Sequence, residues 1–270
     1  MNIVILVSIL IAVIAVFLQL QYNFLIPPRK GLPVLMYHKI ELGKPDGLTV
    51  TVDQFRQQLT YLKDKGYKTY SFTDLKRMMD HRDLLPSKAV VLTFDDAYRN
   101  FLTRALPLLT EFGYTATVMV PAAFIGKTNI WDQGNDPLLT GEELHRIAMQ
   151  ENIEIGLHSF MHHNYRGLTP DEAAEDIRNC RETLAYHAIP HTAVLAYPYG
   201  GYPRKDPEKK MRLFERFTEL KLDFALRIGN RINPWPLKYP YEIQRIDIKG
   251  SDRFFVFKIK LRKGRARFFA

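Results

Sequence analysis

Two adjacent carboxylates, Asp95 and Asp96, close the apolar run Ala89–Phe94, and a His-x3-His pair, His158 and His162, follows the run Ile153–Leu157. Two carboxylates behind a buried run need strong compensation, because a buried charge must be paired or must coordinate a cation. The plain alternative for the acids is a helix N-cap followed by an acid in the first turn, before Ala97-Tyr98-Arg99. A glycosidase pair is disfavoured, since such carboxyls face each other about 5 Å or more apart across a substrate. The histidine spacing lets one helical turn or tight loop present both rings on one side. Neutral imidazole is the commonest side-chain ligand of transition metals. Two imidazoles with one carboxylate form a ligand set that leaves a coordination position open. An isolated His-x3-His is more often incidental than metal-binding. Its place at a strand end, with Asp-Asp at another, points to a metal; His163 reads as a bystander.

These residues must be held by regular elements. Short apolar runs predict strands at Pro33–Tyr37, Ala89–Phe94, Thr115–Val120, Ile153–Leu157, Ala193–Tyr197, Phe224–Ile228 and Ile243–Ile248. Between them lie helix starts. Thr51 with Gln54, Thr140 with Glu143, and Thr169 with Glu172 have capping-box spacing, Pro170 suits a first helical position, and Gly113 suits a helix end. Alternation of strand and helix implies parallel pairing with helices outside. About seven such units in an α/β fold fit a closed or nearly closed barrel, with a doubly wound open sheet as the competitor. A doubly wound sheet would show a glycine-rich turn after its first strand, and Tyr37-His38-Lys39-Ile40-Glu41 is not one. Active residues gather at strand ends in either architecture. Tyr37-His38 and Tyr197-Pro198-Tyr199-Gly200 stand at two further ends.

Thr93-Phe-Asp-Asp96 followed by His158-Ser-Phe-Met-His162 resembles the first two motifs of the polysaccharide deacetylases, carbohydrate esterase family 4, with the NodB homology domain. Leu195-Ala-Tyr-Pro-Tyr-Gly200 is similar to the third motif. The likeness runs from about Leu32 to Ile248 and implies a distorted (β/α)7-type barrel, NodB-like. It implies a divalent metal on Asp96, His158 and His162, with Zn foremost and Co, Ni or Fe also compatible with such ligands. It further implies Asp95 as general base and the Tyr199 amide as an oxyanion donor. One departure matters: the last histidine is His191, so the leucine-x-His general acid that most members place near the domain's C-terminal end is absent. His38 is the expected replacement, an arrangement resembling the circularly permuted subgroup that includes deacetylases of poly-β-1,6-N-acetylglucosamine. The arginine usual before the third motif is missing too. Arg245 could pair with Asp95 in its place, with a surface salt bridge an equal alternative and Asp247 a weaker substitute.

The expected reaction is metal-dependent N-deacetylation of N-acetylhexosamine units in a polysaccharide, releasing acetate. Its rivals are an amidase or esterase for a small molecule and a glycan-binding pseudoenzyme. Tyr37, Tyr98, Trp131, Tyr197 and Tyr202 are candidates for a sugar groove; barrel packing is the plainer reading of any one of them, and Trp131 is the best groove candidate.

The 270 residues are 46% hydrophobic, 12% aromatic and 25% charged, which excludes a disordered or collagen-like chain and predicts a sizeable core. One cysteine, Cys180, excludes an internal disulfide framework and any Cys-based zinc cluster. From Ile3 to Leu20 every residue is apolar except Ser8 and Gln19, which predicts an uncleaved single-pass transmembrane anchor over 1–22, with a buried core helix and a cleaved signal peptide as the alternatives. A short linker over 23–31, a catalytic domain over 32–250 and a basic tail over 251–270 complete the expected organisation. Expected partners are an N-acetylated polysaccharide and a membrane, not nucleic acid, with the catalytic domain on the extracytoplasmic side. The net charge of +9 is concentrated partly in Lys258, Lys260, Arg262, Lys263, Arg265 and Arg267. Contact with anionic lipid or polymer and a solvated basic tail are even alternatives for that cluster.

Overall fold

A computed structural model describes residues 2–22, 27–132 and 134–266; the side chains of 20–22 lie outside the description, as does Arg267 of the basic segment. The chain opens with α1 (Ile3–Tyr22) and enters the domain with β1 (Val34–Tyr37). Next come β2 (Lys39–Glu41), β3 (Thr49–Thr51), α2 (Val52–Asp64), β4 (Lys68–Thr69), α3 (Phe72–Asp80) and β5 (Ala89–Phe94). A π-helical turn at Phe101–Ala105 leads into α4 (Leu106–Phe112), then β6 (Ala116–Val120), α5 (Gly141–Ala148), β7 (Ile153–Leu157) and α6 (Pro170–Tyr186). The remainder is β8 (Val194–Ala196), α7 (Pro207–Glu219), β9 (Phe224–Ile228), β10 (Ile243–Asp247) and α8 (Phe254–Lys263).

Strands β5, β6, β7, β8, β9 and β10 pair in parallel in chain order. β1 closes the ring by pairing in parallel with both β10 and β5. The result is a seven-stranded parallel barrel of the expected type, with β4 added outside β5. Side chains alternate across each strand. Val34, Val91, Met119, Val194, Ala196, Leu226 and Ile243 fill the interior as one cluster. Leu35, Leu92, Val118, Ile155, Leu195 and Ile246 face outward under the helices as another. The inward parity places Arg245 within β10 and, continued past the ends of β1, β5 and β7, carries His38, Asp95 and His158 toward the barrel axis.

All three expected capping boxes form, and Ser71 with Asp74 adds a fourth. Gly113 ends α4 at φ 68, a left-handed position where glycine has no Cβ penalty.

The membrane-spanning expectation for residues 1–22 is not supported. Among the described residues no helix is long and apolar enough to cross a membrane. The basic C-terminal segment forms α8, with Phe257 and Leu261 buried and Phe254 and Phe257 packed edge-on to Tyr61 of α2.

Candidate active site

Three groups converge at the C-terminal rim of the barrel. Asp96 Oδ1 lies 3.3 Å from His158 Nε2 and 3.2 Å from His162 Nε2. One ligand atom from each of the three residues falls within 4.8 Å of the others, and all three residues are buried. The Nδ1 of His158 lies 2.8 Å from the Ala196 carbonyl. That contact assigns Nδ1 as the donor and leaves the Nε2 lone pair facing the cluster, as in many metal-bound histidines. Asp96 Oδ1 is buried without a hydrogen-bond donor, an orphan that a cation would satisfy. The donor set therefore fits a divalent metal.

The local backbone is strained toward this arrangement. Asp96, Ala97, Ser159, His162 and Tyr199 all adopt positive φ, between 54° and 72°. Such conformations cost energy in non-glycine residues and concentrate at functional sites. The N-cap alternative for the two acids fails, because the chain turns after Asp95 and the next helix begins at Phe101 after Asn100. The histidines come from a tight loop rather than a helical turn.

Asp95 sits beside this cluster in a separate clamp. The Arg245 guanidinium donates to Asp95 Oδ1 at 2.5 Å and to Oδ2 at 2.7 Å, with Arg245 only 1% exposed. Of the two alternatives open for Arg245, the surface salt bridge is excluded. Asp247 does not substitute; its Oδ2 is 3.3 Å from Lys249 Nζ instead. Burial opposes ionisation of Asp95, yet the Arg245 guanidinium clamped on it outweighs that penalty and lowers its pKa. Across the clamp, His38 Nε2 stands 4.0 Å from Asp95 Oδ2. The His158 Nε2 is 3.8 Å from the same oxygen, so Asp95 borders the metal cluster without joining it.

Asp176, which the sequence reading missed, holds the His158–His162 loop in place. Its Oδ2 accepts from Ser159 Oγ and the Phe160 N–H, both at 2.9 Å, and its Oδ1 accepts from the Tyr165 hydroxyl at 2.5 Å. The signal was present on α6: Asp176 lies among Ala173, Ala174, Ile177 and Cys180, the buried residues of that helix. An acid on an apolar helix face must find donors across the interface.

A cavity of about 340 Å³ opens over these groups, lined by His38, Asp95, Asp96, His162, Tyr199 and Arg245 among others. Trp131 stacks on the His162 ring at 4.3 Å, and the 58%-exposed Tyr199 meets the same ring edge-on at 4.9 Å. Both aromatics wall the opening. Of the five groove candidates only Trp131 does so; Tyr37, Tyr98, Tyr197 and Tyr202 are buried packing residues. Gly200 also belongs to this wall, because at φ 63 a Cβ there would stand 2.8 Å from the Ile228 backbone nitrogen. Of the other histidines, His81 and His163 are exposed, and the Nδ1 of His145 meets the Ala188 carbonyl at 2.6 Å.

A closed parallel barrel with a buried Asp–His–His cluster and a separate clamped carboxylate at its C-terminal rim defines a barrel protein with a candidate divalent-metal site at its strand ends. This chain matches the family model for polysaccharide deacetylases over residues 82–210. It is 30% identical over 171 residues to YxkH of Bacillus subtilis, whose name assigns it to the polysaccharide deacetylases, covering 63% of this chain and 57% of that one. It is 23% identical over 243 residues to the poly-β-1,6-N-acetyl-D-glucosamine N-deacetylase of Escherichia coli, covering 84% of this chain and 34% of the relative. The chain thus spans less than two thirds of either relative. The fold is that of the Streptococcus pyogenes deacetylase PplD, solved with acetate, at TM-score 0.70 and 24% identity over 87% of this chain and 99% of that one. IcaB from Ammonifex degensii has the same fold, at TM-score 0.67 and 23% identity over 82% of this chain and 93% of that one.

Proposed function

We propose that this protein is a metal-dependent hydrolase that removes the acetyl group from N-acetylhexosamine units of a polysaccharide, releasing acetate and a free amino sugar. One observation carries the reading: the Asp96–His158–His162 cluster, the Arg245-clamped Asp95 and His38 all open into one cavity. A divalent ion held by Asp96, His158 and His162 would polarise the amide carbonyl and acidify the attacking water. Asp95, kept ionised by Arg245, takes the proton from that water. The Tyr199 N–H donates to the oxyanion that develops as the carbonyl carbon becomes tetrahedral. His38, protonated, gives its proton to the departing nitrogen as the C–N bond breaks. Trp131 and Tyr199 offer faces on which a pyranose ring stacks.

Within this reading the substrate is a β-1,6-linked N-acetylglucosamine polymer, supported by the likeness to the Escherichia coli deacetylase over 84% of this chain. Zinc is the proposed metal, with Co, Ni and Fe compatible with the same ligands. The proposed location is the extracytoplasmic side of a membrane, where such a polymer is met. The test is metal analysis of the purified chain, followed by acetate release from β-1,6 and β-1,4 N-acetylglucosamine oligomers before and after chelation. Release from the β-1,6 oligomers that chelation abolishes and added zinc restores is the expected result. Release that is insensitive to chelation, or absent from both oligomers, would overturn the proposal.

A further inference from the structure

The opposite end of the barrel has the reverse electrostatic character. A second cavity, of about 730 Å³, lies against Gly31 and Pro33 before β1 and against Ser87 and Ala89 at the start of β5. It therefore sits at the N-terminal ends of strands whose C-terminal ends carry His38 and Asp95. Arg29, Lys30, Lys88 and Arg262 line it, beside Trp235. Arg231 adjoins them, since its backbone packs on Gly264 at the end of α8, and the Arg29 amide bonds to the Arg262 carbonyl at 3.0 Å. All five side chains are exposed, and none has a carboxylate within 4.0 Å among the described residues.

Like charges gathered without counter-ions destabilise the free protein and favour an anionic partner. Crowding there is real: burial and the neighbouring Arg231 and Arg29 charges lower the pKa of Arg265. The second observation is α1, which precedes Arg29 in the chain. Its large apolar side chains from Ile3 to Phe17 are 46–76% exposed. Exposed apolar surface of that extent needs an apolar phase. Juxtaposed cations and apolar helix match a lipid surface better than a soluble polyanion, which offers nothing to the helix.

We propose that the N-terminal face of the barrel docks on a membrane surface containing anionic lipid, through Arg29, Lys30, Lys88, Arg231 and Arg262. Docked this way, the cleft at the other end of the barrel points away from the bilayer, toward polymer in solution. The orientation holds whatever reaction the cleft performs.

The full chain is sedimented with vesicles of pure phosphatidylcholine and with vesicles in which a quarter of the lipid is phosphatidylglycerol. Alongside it are R29E/R231E/R262E and a control with the same charge change at the opposite end, R166E/R204E/K205E. Each Lys or Arg at an anionic surface contributes about 1 kcal/mol. Phosphatidylglycerol should therefore tighten binding of the wild type and control by about 10- to 100-fold at low salt. The first variant should lose that increment and keep the wild-type affinity for neutral vesicles. Circular dichroism checks that both variants fold; if R29E/R231E/R262E does not, the single R262E should lose about fivefold or more of the increment. Equal binding to both vesicle types, an increment that survives charge reversal, or displacement from vesicles by millimolar inorganic phosphate at constant ionic strength would overturn the proposal.

Discussion

Arg245 and Asp95, 150 residues apart in the chain, form a buried two-pronged ion pair at 2.5 and 2.7 Å on the inner wall of the barrel. The pair does two things. It holds the carboxylate rotamer fixed beside the metal cluster, and it keeps that carboxylate ionised where burial would otherwise favour the neutral acid.

Arg245→Ala should therefore shift the acid limb of the kcat/KM profile. Burial raises the Asp95 pKa and Arg245 lowers it, so removing the guanidinium leaves burial less opposed and the carboxyl titrates at higher pH. Activity in the variant should fail at a higher pH than in the wild type as the solution is acidified. The lone buried carboxylate should also cost about 3–5 kcal/mol of stability in denaturant unfolding at pH 7. Because the folded Asp95 pKa lies below its unfolded value, the pair's stabilisation is present above the ordinary carboxylate range and fades as pH falls through the lowered folded pKa. An unchanged acid limb would remove Asp95 from the role of base.

His38→Ala should reduce kcat about 100-fold or more while leaving metal content unchanged, since His38 lies outside the Asp96–His158–His162 cluster. Elemental analysis and steady-state kinetics on the same preparation separate the two effects. Loss of metal with loss of turnover would make His38 a ligand rather than an acid.

Asp176→Asn keeps the size of the side chain but weakens its contacts with Ser159, Phe160 and Tyr165. Zinc affinity measured by chelator competition should fall about 10- to 100-fold, as expected when a group supporting metal ligands is lost. Circular dichroism should still report the native fold. Wild-type affinity in the variant would mean that the loop holds its shape without Asp176.

Cys180 is fully buried on α6, and burial pushes its thiol pKa well above the ordinary value. The neutral thiol is a poor nucleophile. Ellman's reagent at pH 8 should leave the folded protein unmodified over the minutes in which the denatured chain reacts completely.

Much of the barrel was legible from local pattern. Ala89–Phe94, Ile153–Leu157 and Phe224–Ile228 form strands with the bounds their apolar runs predict. Thr51, Thr140 and Thr169 cap their helices because a hydroxyl three residues before an acid or amide satisfies amides that lie within one turn. The pair β2 and β3 and the two-residue β4 were not legible, because three- and two-residue strands have no periodicity and exist only through pairing. The apolar composition from Ile3 to Leu20 read as a membrane span, and among the described residues no helix is long and apolar enough to cross a membrane.

The order of residues along the chain determined which chemical groups stand at the strand ends, because a strand's last inward residue is set by a period of two. Whether those groups meet was decided elsewhere. His38 and Arg245 reach Asp95 because β1 inserts between β10 and β5 and closes the ring. That pairing joins the first strand of the barrel to its last, a long-range contact that no local pattern encodes. Asp176 grips the histidine loop for the same reason, since only the packing of α6 on the barrel brings an acid from one helix to the amides of another segment.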